Sequence, residues 1–573
     1  MAEPFSPRQE LGFLLFDWLG LGSDGAERAT FAAVLDLADK LAADSFLTHF
    51  KQADRQEPQL GASGVRLLPQ AVEALGRYAE LGLFGASFPE ALGGLGLPQS
   101  LALAIYGVFA AANIATAAYP MLTAANARLI AAFGTAAQID RFARPEIEGR
   151  WFGTMCLSEP QAGSDLAIVR TRATLEGEDE LGVRYRLAGA KMWISGGDQD
   201  ASENIVHLVL AKAATPGAPL PQGSKGLSLF IVPKRLPDGA RNDVTVAGLN
   251  HKMGYRGTAN CLLNLGEGPG AVGWLVGREG DGLAQMFMMM NEARLYVGMG
   301  AAALAYRGYR HASRYATERI QGRRAGGEAV AIVEHADVRR MLLQQKAYAE
   351  GALELCLYCA RLIDEGEGEA ASLLALLTPV AKSWTSEFGL AANDLAIQVH
   401  GGYGYTRDFD VEQLWRDNRL NPIHEGTAGI QALDLLGRKI LRADGEAMAV
   451  LQRRIEATAA AAPDALSAHA QDLRRFWRRA QEVIEALRSA DPSAAYDDAT
   501  LFLRAFGHGV VAWLWLDQAR ALEALSAQAR AGKISACRYF FHQELPQAER
   551  WLDIVAAQDG VVRDTPSEAF HDV

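Results

Sequence analysis

The feature that most constrains the fold is a change in the residue pattern near residue 151, where apolar residues at helical spacing give way to short β-prone runs. Before that point, apolar residues recur at helical spacing over residues 31–41, and an alanine-rich helical stretch covers 101–133. Residues 151–276 instead contain YRLAG, KMWIS, NIVHLVLAK, LSLFIVP and CLLNL, separated by turn-rich segments. We therefore predict a compact β domain between helical regions.

Helical periodicity returns after the β region and continues to the end of the chain. In the last stretch, one apolar stripe contains Leu473, Phe476, Trp477, Ile484 and Leu487. The length of 573 residues suits about four domains. We predict an N-terminal helical domain at 1–150, the β domain at 151–276, a helical bundle at 277–443 and an additional helical extension at 444–573.

Composition narrows the possible partners and location. The chain has 56 Lys and Arg against 68 Asp and Glu, a net charge of −12, which disfavours generic binding to nucleic acid or anionic membrane. Five cysteines are too sparse for a secreted disulfide scaffold. The N-terminus lacks the order of a signal peptide, and the apolar stretch 11–21 is interrupted by Asp17. We expect no other uncharged apolar window of about 18 residues, no membrane insertion and a cytoplasmic location.

Common catalytic and metal-binding templates are absent from the sequence. It contains no HExxH, Walker loop, GxSxG or zinc-type pair of CxxC motifs, so we predict no metal site. Cys356 and Cys359 form one CxxC, but it lies in the helical run GALELCLYCARL. Spacing of i and i+3 places both thiols on one helix face, which favours core packing over redox or metal chemistry.

Two segments of the β region combine features that a core does not require. The first, MCLSEPQAGSD at 155–165, has the composition of a turn, and its backbone N–H groups and Ser164 also suit a phosphate-bearing ligand. In the second, KMWISGG at 191–197, Trp193 and Ser195 share one face of a regular strand. Trp193 is then either a core residue or a stacking surface for a flat ring, with Ser195 as a donor.

A third segment lies in the bundle and runs from Gln398 to Gln431. Gly401, Gly402 and Gly404 permit close backbone approach to a phosphate. Glu425 follows in HEGT, just before a predicted helix start. From spacing alone, its carboxylate is equally suited to be a helix cap, a role for which Thr427 competes, or a general base.

Taken together, these segments resemble the acyl-CoA dehydrogenase family of flavoproteins over residues 13–442. The resemblance also includes HKMGYRG from His251, EGDGLAQMFMMMNEARLYVG from Glu279, and IHEGTAGIQ near the end of the bundle. It implies a mainly α fold with a central β-barrel and a helical bundle. The length is similar to that of a larger bacterial subgroup with a C-terminal helical extension, which includes fatty acyl-CoA and methylthiopropionyl-CoA dehydrogenases.

By this resemblance the cofactor is FAD and the substrate an acyl-CoA, oxidised to a trans-2-enoyl-CoA, as in fatty acid β-oxidation. Electrons then pass to electron-transferring flavoprotein, and the assembly is a homodimer or homotetramer. The resemblance assigns cofactor binding to Met155, Leu157, Ser158, Ser164, Trp193, Ser195, Arg319, Gln398, Gly401, Gly402 and Thr427. It assigns substrate binding to Ser164, Asn291, Arg294, His424 and Gly426.

Glu425 falls at the family's catalytic base, which removes the α-proton of the thioester. A carboxylate desolvated against a flavin and a thioester becomes a stronger base. Some relatives place the base on the helix of Asn291, but the corresponding residue here is Ala293, and Glu292 is predicted to point about 100° away. Many members have a tyrosine where this chain has His424, which either tunes the base, shapes the acyl pocket or is a tolerated ring substitution.

Two other functions remain compatible with this resemblance. One is a DNA-binding flavoprotein like the alkylation-response branch, which would be expected to have a basic tail. Here residues 444–573 are net acidic, and RRFWRR at 474–479 is more typical of an ion-paired helix face. The other is an acyl-CoA oxidase, which differs by rapid reoxidation of the reduced flavin by O2.

Overall fold

The computed structural model describes residues 5–22, 24–214, 220–324, 326–491 and 494–571. The chain divides into two compact units. We call Asp36–Tyr296 the barrel unit, and we call Met1–Leu35 together with Val297–Val573 the helical unit.

Long helices dominate both ends of the described chain, and short 3₁₀ and π turns join several of them. The α-helices, in chain order, are α1 Arg8–Gly12, α2 Gly25–Leu41, α3 Phe50–Arg55, α4 Pro69–Glu80, α5 Gln99–Phe133, α6 Ala136–Gln138, α7 Arg144–Ile147, α8 Gly282–Glu318, α9 Ala336–Glu365, α10 Glu369–His400, α11 Val411–Asn418, α12 Ala428–Ala432, α13 Glu446–Ala460, α14 Ser467–Arg488, α15 Ala499–Asp517, α16 Ala527–Tyr539, α17 Leu545–Ala557 and α18 Val561–Asp564.

Most strands lie between the two helical regions, as the change in residue pattern near residue 151 predicts. They are β1 Gln59–Gly61, β2 Gly64–Arg66, β3 Trp151–Cys156, β4 Arg172–Asp179, β5 Gly182–Ser195, β6 Asn204–Ala214, β7 Leu227–Pro233, β8 Val244–Leu249, β9 Asn260–Leu265, β10 Ala271–Leu275, β11 Ile320–Arg323 and β12 Ala329–Ala331.

Strands β3 to β10 form a closed barrel in the barrel unit. The order is β10-β7-β6-β4-β5-β9-β8, and β10 also pairs with β5, which closes the sheet on itself. Strand β3 pairs with β6 in parallel register, Trp151 opposite Asn204. Strand β7 is buried along its whole length and β6 along most of it, because their side chains fill the unit's core. The predicted β-barrel in a mainly α fold is confirmed.

Helix α5 is the central helix of the barrel unit and is almost wholly apolar. It bends at Asn113, whose φ of −161° lies outside the helical region. Two helical segments, α5 and Ala499–Ala524, have the length and composition of a membrane span. The expectation that the chain contains no further apolar window of about 18 residues is therefore wrong. The relevant windows are 100% and 83% buried in the structure, as in core helices of a folded domain.

In the helical unit, the C-terminal extension packs directly on the bundle. The Trp384 indole N–H of α10 donates to Nδ1 of His508 in α15 at 3.0 Å. The Tyr348 hydroxyl of α9 donates to Glu544, just before α17, at 2.6 Å. The predicted apolar stripe of α14 is buried along its length. Cys356 and Cys359 are fully buried in α9, which confirms their prediction as core residues.

Three of the four arginines in the basic run at 474–479 form ion pairs with acids of the same extension. Arg474 pairs with Glu456 at 2.5 Å. Arg475 and Arg479 each bridge one acid of α14 and one of α17. Paired guanidinium groups on an acidic extension attract phosphates weakly. The prediction of an ion-paired helix face is confirmed.

Candidate active site

The loop after β3 is held against β5 by a buried lysine. Lys191 is fully buried, and its Nζ donates to the carbonyl of Leu157 at 3.0 Å and to that of Leu210 at 2.7 Å. The Met192 N–H donates to the carbonyl of Ser158 at 3.0 Å. The structure therefore brings Met155, at the end of β3, and the Leu157–Ser158 segment beside the strand that carries Trp193.

Glu159 completes this anchor and has a structural role. Its Oε1 accepts from Lys191 Nζ at 3.0 Å and from the Thr171 hydroxyl at 2.6 Å, and its Oε2 accepts from the Arg170 N–H at 2.8 Å. Burial acts to raise the pKa of Glu159, but Lys191 and these hydrogen bonds outweigh it and lower the pKa to about 2. The acid of the MCLSEP motif thus fixes the loop.

We predict that this anchor makes stability fall in acid. Because the folded pKa of Glu159 lies below its ordinary value of 4.5, its stabilisation is present above pH 4.5 and is lost as the pH falls towards 2. The upper limit of the effect is about 3 kcal/mol. Glu159→Gln should lower the free energy of unfolding at pH 7, with a deficit that shrinks between pH 4.5 and pH 3 in urea titrations. A deficit that stays constant over this range would contradict the prediction.

Trp193 departs from the regular strand that the sequence predicts. The register of β5 against β9 shifts between Lys191 and Ile194, and Trp193 has a φ of +65°. Its side chain is 59% exposed, so the alternative of a core tryptophan is wrong. The Ser195 hydroxyl, two residues on, accepts from the Asn260 side chain at 3.1 Å. The irregularity presents an aromatic face beside an anchored hydroxyl.

The other residues of the barrel unit that are predicted to bind cofactor or substrate lie in the loop after β3 and on α8. Ser164 is exposed in the loop, next to Asp165, whose carboxylate caps the turn Leu166–Ile168. Asn291 and Arg294 lie one turn apart on α8, where Arg294 donates to Oδ1 of Asn291 at 3.3 Å. Arg294 is nearly buried and Asn291 is exposed.

The alternative position for the base, on α8, carries Ala293, and the neighbouring Glu292 forms an ion pair with Arg128. Ala293 is buried and has no acid–base group. The Nε–H of Arg128 donates to Oε1 of Glu292 at 2.9 Å, and Oε2 of Glu292 lies 2.8 Å from the same nitrogen. Arg128 also donates to the Ser87 hydroxyl at 2.8 Å and lies over the Phe88 ring. The Glu292 carboxylate is therefore engaged in a charge-assisted ion pair with Arg128.

In the helical unit, the predicted cofactor residues occupy exposed helix ends. Arg319 directly follows α8, and Gln398 lies exposed on the last turn of α10. Gly401 ends that helix with a φ of +60°, and in the described part of the chain no atom beyond its two chain neighbours lies within 4 Å of the point where its Cβ would stand. Gly402 is exposed beside it. Such an open left-handed turn suits a phosphate-bearing group.

Glu425 lies in a turn before α12 and is not its cap. Thr427 occupies the N-cap position, although its side chain makes no capping hydrogen bond. Glu425 has a φ of +54° and Gly426 one of +93°. A left-handed glutamate is uncommon and is maintained only where its surroundings hold it. The N-cap position of α12 therefore belongs to Thr427 and not to Glu425.

His424, beside Glu425, ends a chain of buried amides. Its Nε2 lies 3.1 Å from Oδ1 of Asn421, and Asn421 donates to Asn418 at 2.9 Å. Asn418 donates to Asn393 at 2.7 Å, and Asn393 donates to the carbonyl of Leu304 at 2.9 Å. A carbonyl only accepts, so the direction of the whole chain is fixed from that end. His424 must therefore carry its proton on Nε2.

His424 also stays neutral at physiological pH. Burial and the nearby Lys382 cation lower the pKa of His424 to about 3. An imidazole that does not protonate near pH 7 cannot tune the neighbouring carboxylate by titration. Tuning of the base by protonation of His424 is therefore disfavoured.

Sequence reasoning missed the residues that hold these groups in place. Lys191, Arg128, Lys382 and Gln431 each bind a segment that carries a predicted site residue. Lys382 had a readable signal, because it is a lone cation in the apolar helical run LLALLTPVAKSW. Among the described residues, no group of three or more His, Cys, Asp or Glu side chains could hold a metal ion.

Family models match nearly all of the chain. The N-terminal, middle and C-terminal domains of acyl-CoA dehydrogenase match residues 30–150, 154–266 and 280–441. A domain described as acetyl-CoA dehydrogenase C-terminal like matches residues 451–566, within the predicted extension.

Individual relatives agree with these models. The chain is 36% identical to 3-methylmercaptopropionyl-CoA dehydrogenase of Ruegeria pomeroyi, over 82% of this chain and 81% of that protein. It is 33% identical to the broad-specificity linear acyl-CoA dehydrogenase FadE5 of Mycobacterium tuberculosis, over 95% of this chain and 94% of that protein. The crystal structure of Caenorhabditis elegans ACDH-11 in complex with C11-CoA has the same fold, with a TM-score of 0.79, 19% identity and coverage of 98% and 95%.

Proposed function

The chain belongs to the acyl-CoA dehydrogenase family, and from that membership we propose that Glu425 is the base that removes the α-proton of an acyl-CoA thioester. The enzyme class is an acyl-CoA dehydrogenase with FAD as cofactor. The reaction is α,β-dehydrogenation of an acyl-CoA thioester.

The observation that supports this assignment is the backbone position of Glu425, together with the absence of an acid–base group at position 293 of α8. Glu292 is bound to Arg128, and Ala293 has no acid–base group, so α8 offers no base at this place. Glu425 lies outside α12, in a left-handed turn two residues before the N-cap Thr427. A general base requires such a positioned carboxylate.

We infer separate roles in the reaction for the residues of the Glu425 turn. The Glu425 carboxylate takes the α-proton, and its backbone N–H is suited to donate to the thioester carbonyl as enolate character develops. FAD, when bound, accepts the hydride from the β-carbon. Neutral His424 adds no charge of its own beside the Glu425 carboxylate.

Residues with open, polar or aromatic surfaces are suited to hold the cofactor. The exposed Trp193 ring fits stacking on a flat ring system, and the open turn at Gly401 fits a phosphate. The proposed cofactor residues are Met155, Leu157, Ser158, Ser164, Trp193, Ser195, Arg319, Gln398, Gly401, Gly402 and Thr427. The proposed substrate residues are Ser164, Asn291, Arg294, His424 and Gly426.

The physiological setting follows the names of the similar proteins. A relative acting on linear acyl-CoA and another acting on a thioether-containing acyl-CoA support a fatty acyl-CoA substrate and a role in β-oxidation. We propose electron-transferring flavoprotein as the acceptor, a cytoplasmic location and a homodimer or homotetramer. The division at 150, 276 and 443 is our proposal for the domain boundaries.

An acyl-CoA panel tests the proposed function. Straight-chain, branched and thioether-containing thioesters should each be mixed with FAD-loaded protein without oxygen, and the visible flavin absorption followed. At least one thioester is expected to bleach the flavin, and free CoA is not. Absence of bleaching with every thioester, despite bound FAD, would contradict the proposal. Rapid return of the colour on admitting O2 would indicate an oxidase.

A further inference from the structure

Lys382 is a buried cation that reaches the turn carrying Glu425. It lies in the middle of α10 with no exposed side-chain surface. Its Nζ donates to the carbonyl of Gly426 at 2.5 Å. A buried ammonium group is costly unless it is well bound, so the helix carries this residue for the contacts that it makes. The shift of the His424 pKa shows that its field also extends along the turn.

Gln431 holds the same turn from the helix that follows it. It is fully buried in α12, and its Nε2 donates to the carbonyl of Glu425 at 3.0 Å and to that of Gly426 at 3.3 Å. A Cβ on Gly426 would stand 2.6 Å from this nitrogen. Glycine is required at 426 both by its positive φ and by this close approach.

These hydrogen bonds stabilise the unusual backbone conformation of the turn. A non-glycine residue at a φ of +54° is strained, and it persists only when its surroundings hold the backbone in that conformation. Two side chains from separate helices bind both consecutive carbonyls of the left-handed pair. The orientation of the two peptide planes that follow Glu425 and Gly426 is thereby set, and with it the backbone conformation from which the Glu425 side chain projects.

We propose that Lys382 and Gln431 are positioning residues for Glu425. They act on the reaction through the backbone of the turn, by holding the carbonyls of Glu425 and Gly426. This inference rests on the proposed function, because it assigns to both residues the placement of the proposed base.

The test compares two variants that remove a donor and keep the side-chain volume. Lys382→Met and Gln431→Met should each be loaded with FAD and mixed anaerobically with a saturating thioester that bleaches the wild type. The limiting rate of flavin reduction is expected to fall about 10- to 100-fold, because small misplacements of a reacting group cost that much. The thioester dissociation constant is expected to change by less than about threefold, since both lost contacts are internal to the protein.

Thr378→Val is the matched control. Thr378 lies one turn before Lys382 on α10, is nearly buried, and donates only to the carbonyl of Leu374, at 2.7 Å. It should reduce its flavin at the wild-type rate. Reduction within twofold of wild type in both methionine variants, measured per bound FAD, would overturn the proposal. Equal losses in the control would do so as well, because they would indicate general damage to α10.

The outcome is distinguishable from failure of the proposed function. If wild type bleaches and Glu425→Gln does not, the base stands whatever the methionine variants do. If Glu425→Gln bleaches normally, the base assignment fails by itself. If one methionine variant does not fold, the other still decides, because Lys382 and Gln431 lie on different helices.

Discussion

Glu425→Gln is expected to keep its FAD and to lose about 10²- to 10⁴-fold of the rate of flavin reduction by acyl-CoA, the range typical of a lost general base. The amide has nearly the shape of the carboxylate but cannot take the α-proton. Lys382 and Gln431 bind the backbone of the turn rather than the carboxylate, so the turn should keep its conformation. Stopped-flow reduction under anaerobic conditions measures the effect.

Glu292→Gln is the matched control for that experiment. It removes the carboxylate that neighbours Ala293 on α8 but retains an oxygen that can accept from Arg128. Its flavin reduction is expected to stay within a few fold of wild type. If the loss appeared in Glu292→Gln and not in Glu425→Gln, the base would lie on α8 and our assignment would be wrong.

Lys533→Met is expected to cost the largest amount of stability, about 3–5 kcal/mol. Lys533, in α16 of the extension, is 3% exposed and binds acids from two other segments. Its Nζ contacts Glu10 of α1, and lies 3.0 Å from Glu350 and 3.5 Å from Glu354 of α9. Burial raises the pKa of Glu354 to about 8, but removing the cation still leaves the other acids buried with too little compensation.

Thermal and urea unfolding measure this loss. The control is Arg530→Ala on the same helix, because Arg530 forms a more exposed ion pair with Glu523. That pair should contribute about 0–1 kcal/mol. The prediction fails if Lys533→Met lowers the free energy of unfolding no more than Arg530→Ala does. A large loss would show that the extension, the N-terminal helix and the bundle depend on one buried cluster.

Periodicity predicted the parts of the fold in which one face of an element is buried. The helices around Cys356 and the stripe of α14 follow from apolar spacing, and the nearly continuous apolar run of β6 indicates a strand buried on both sides. Closure of the barrel by β10 and β5 is a long-range pairing that no local pattern records. It was predicted through the family resemblance.

Local patterns could not predict the details that shape the site. Alternation along KMWIS assumes a regular strand, but the shift at Trp193 turns the ring outward and leaves Lys191 buried. The Lys533 cluster joins residues as far apart as Glu10, and a single charge in a sequence does not reveal its partner. The amide chain to His424 likewise needs three dimensions, since Leu304 and Asn421 are more than a hundred positions apart.

The most direct test of the central claim is product stoichiometry in a single anaerobic turnover. FAD-loaded protein should be mixed with a thioester that bleaches it, then quenched, and the acyl-CoA products separated. We predict one trans-2-enoyl-CoA for each flavin reduced, and neither bleaching nor product in Glu425→Gln on the same timescale. Bleaching without enoyl-CoA, or equal product from the Glu425→Gln protein, would contradict the account.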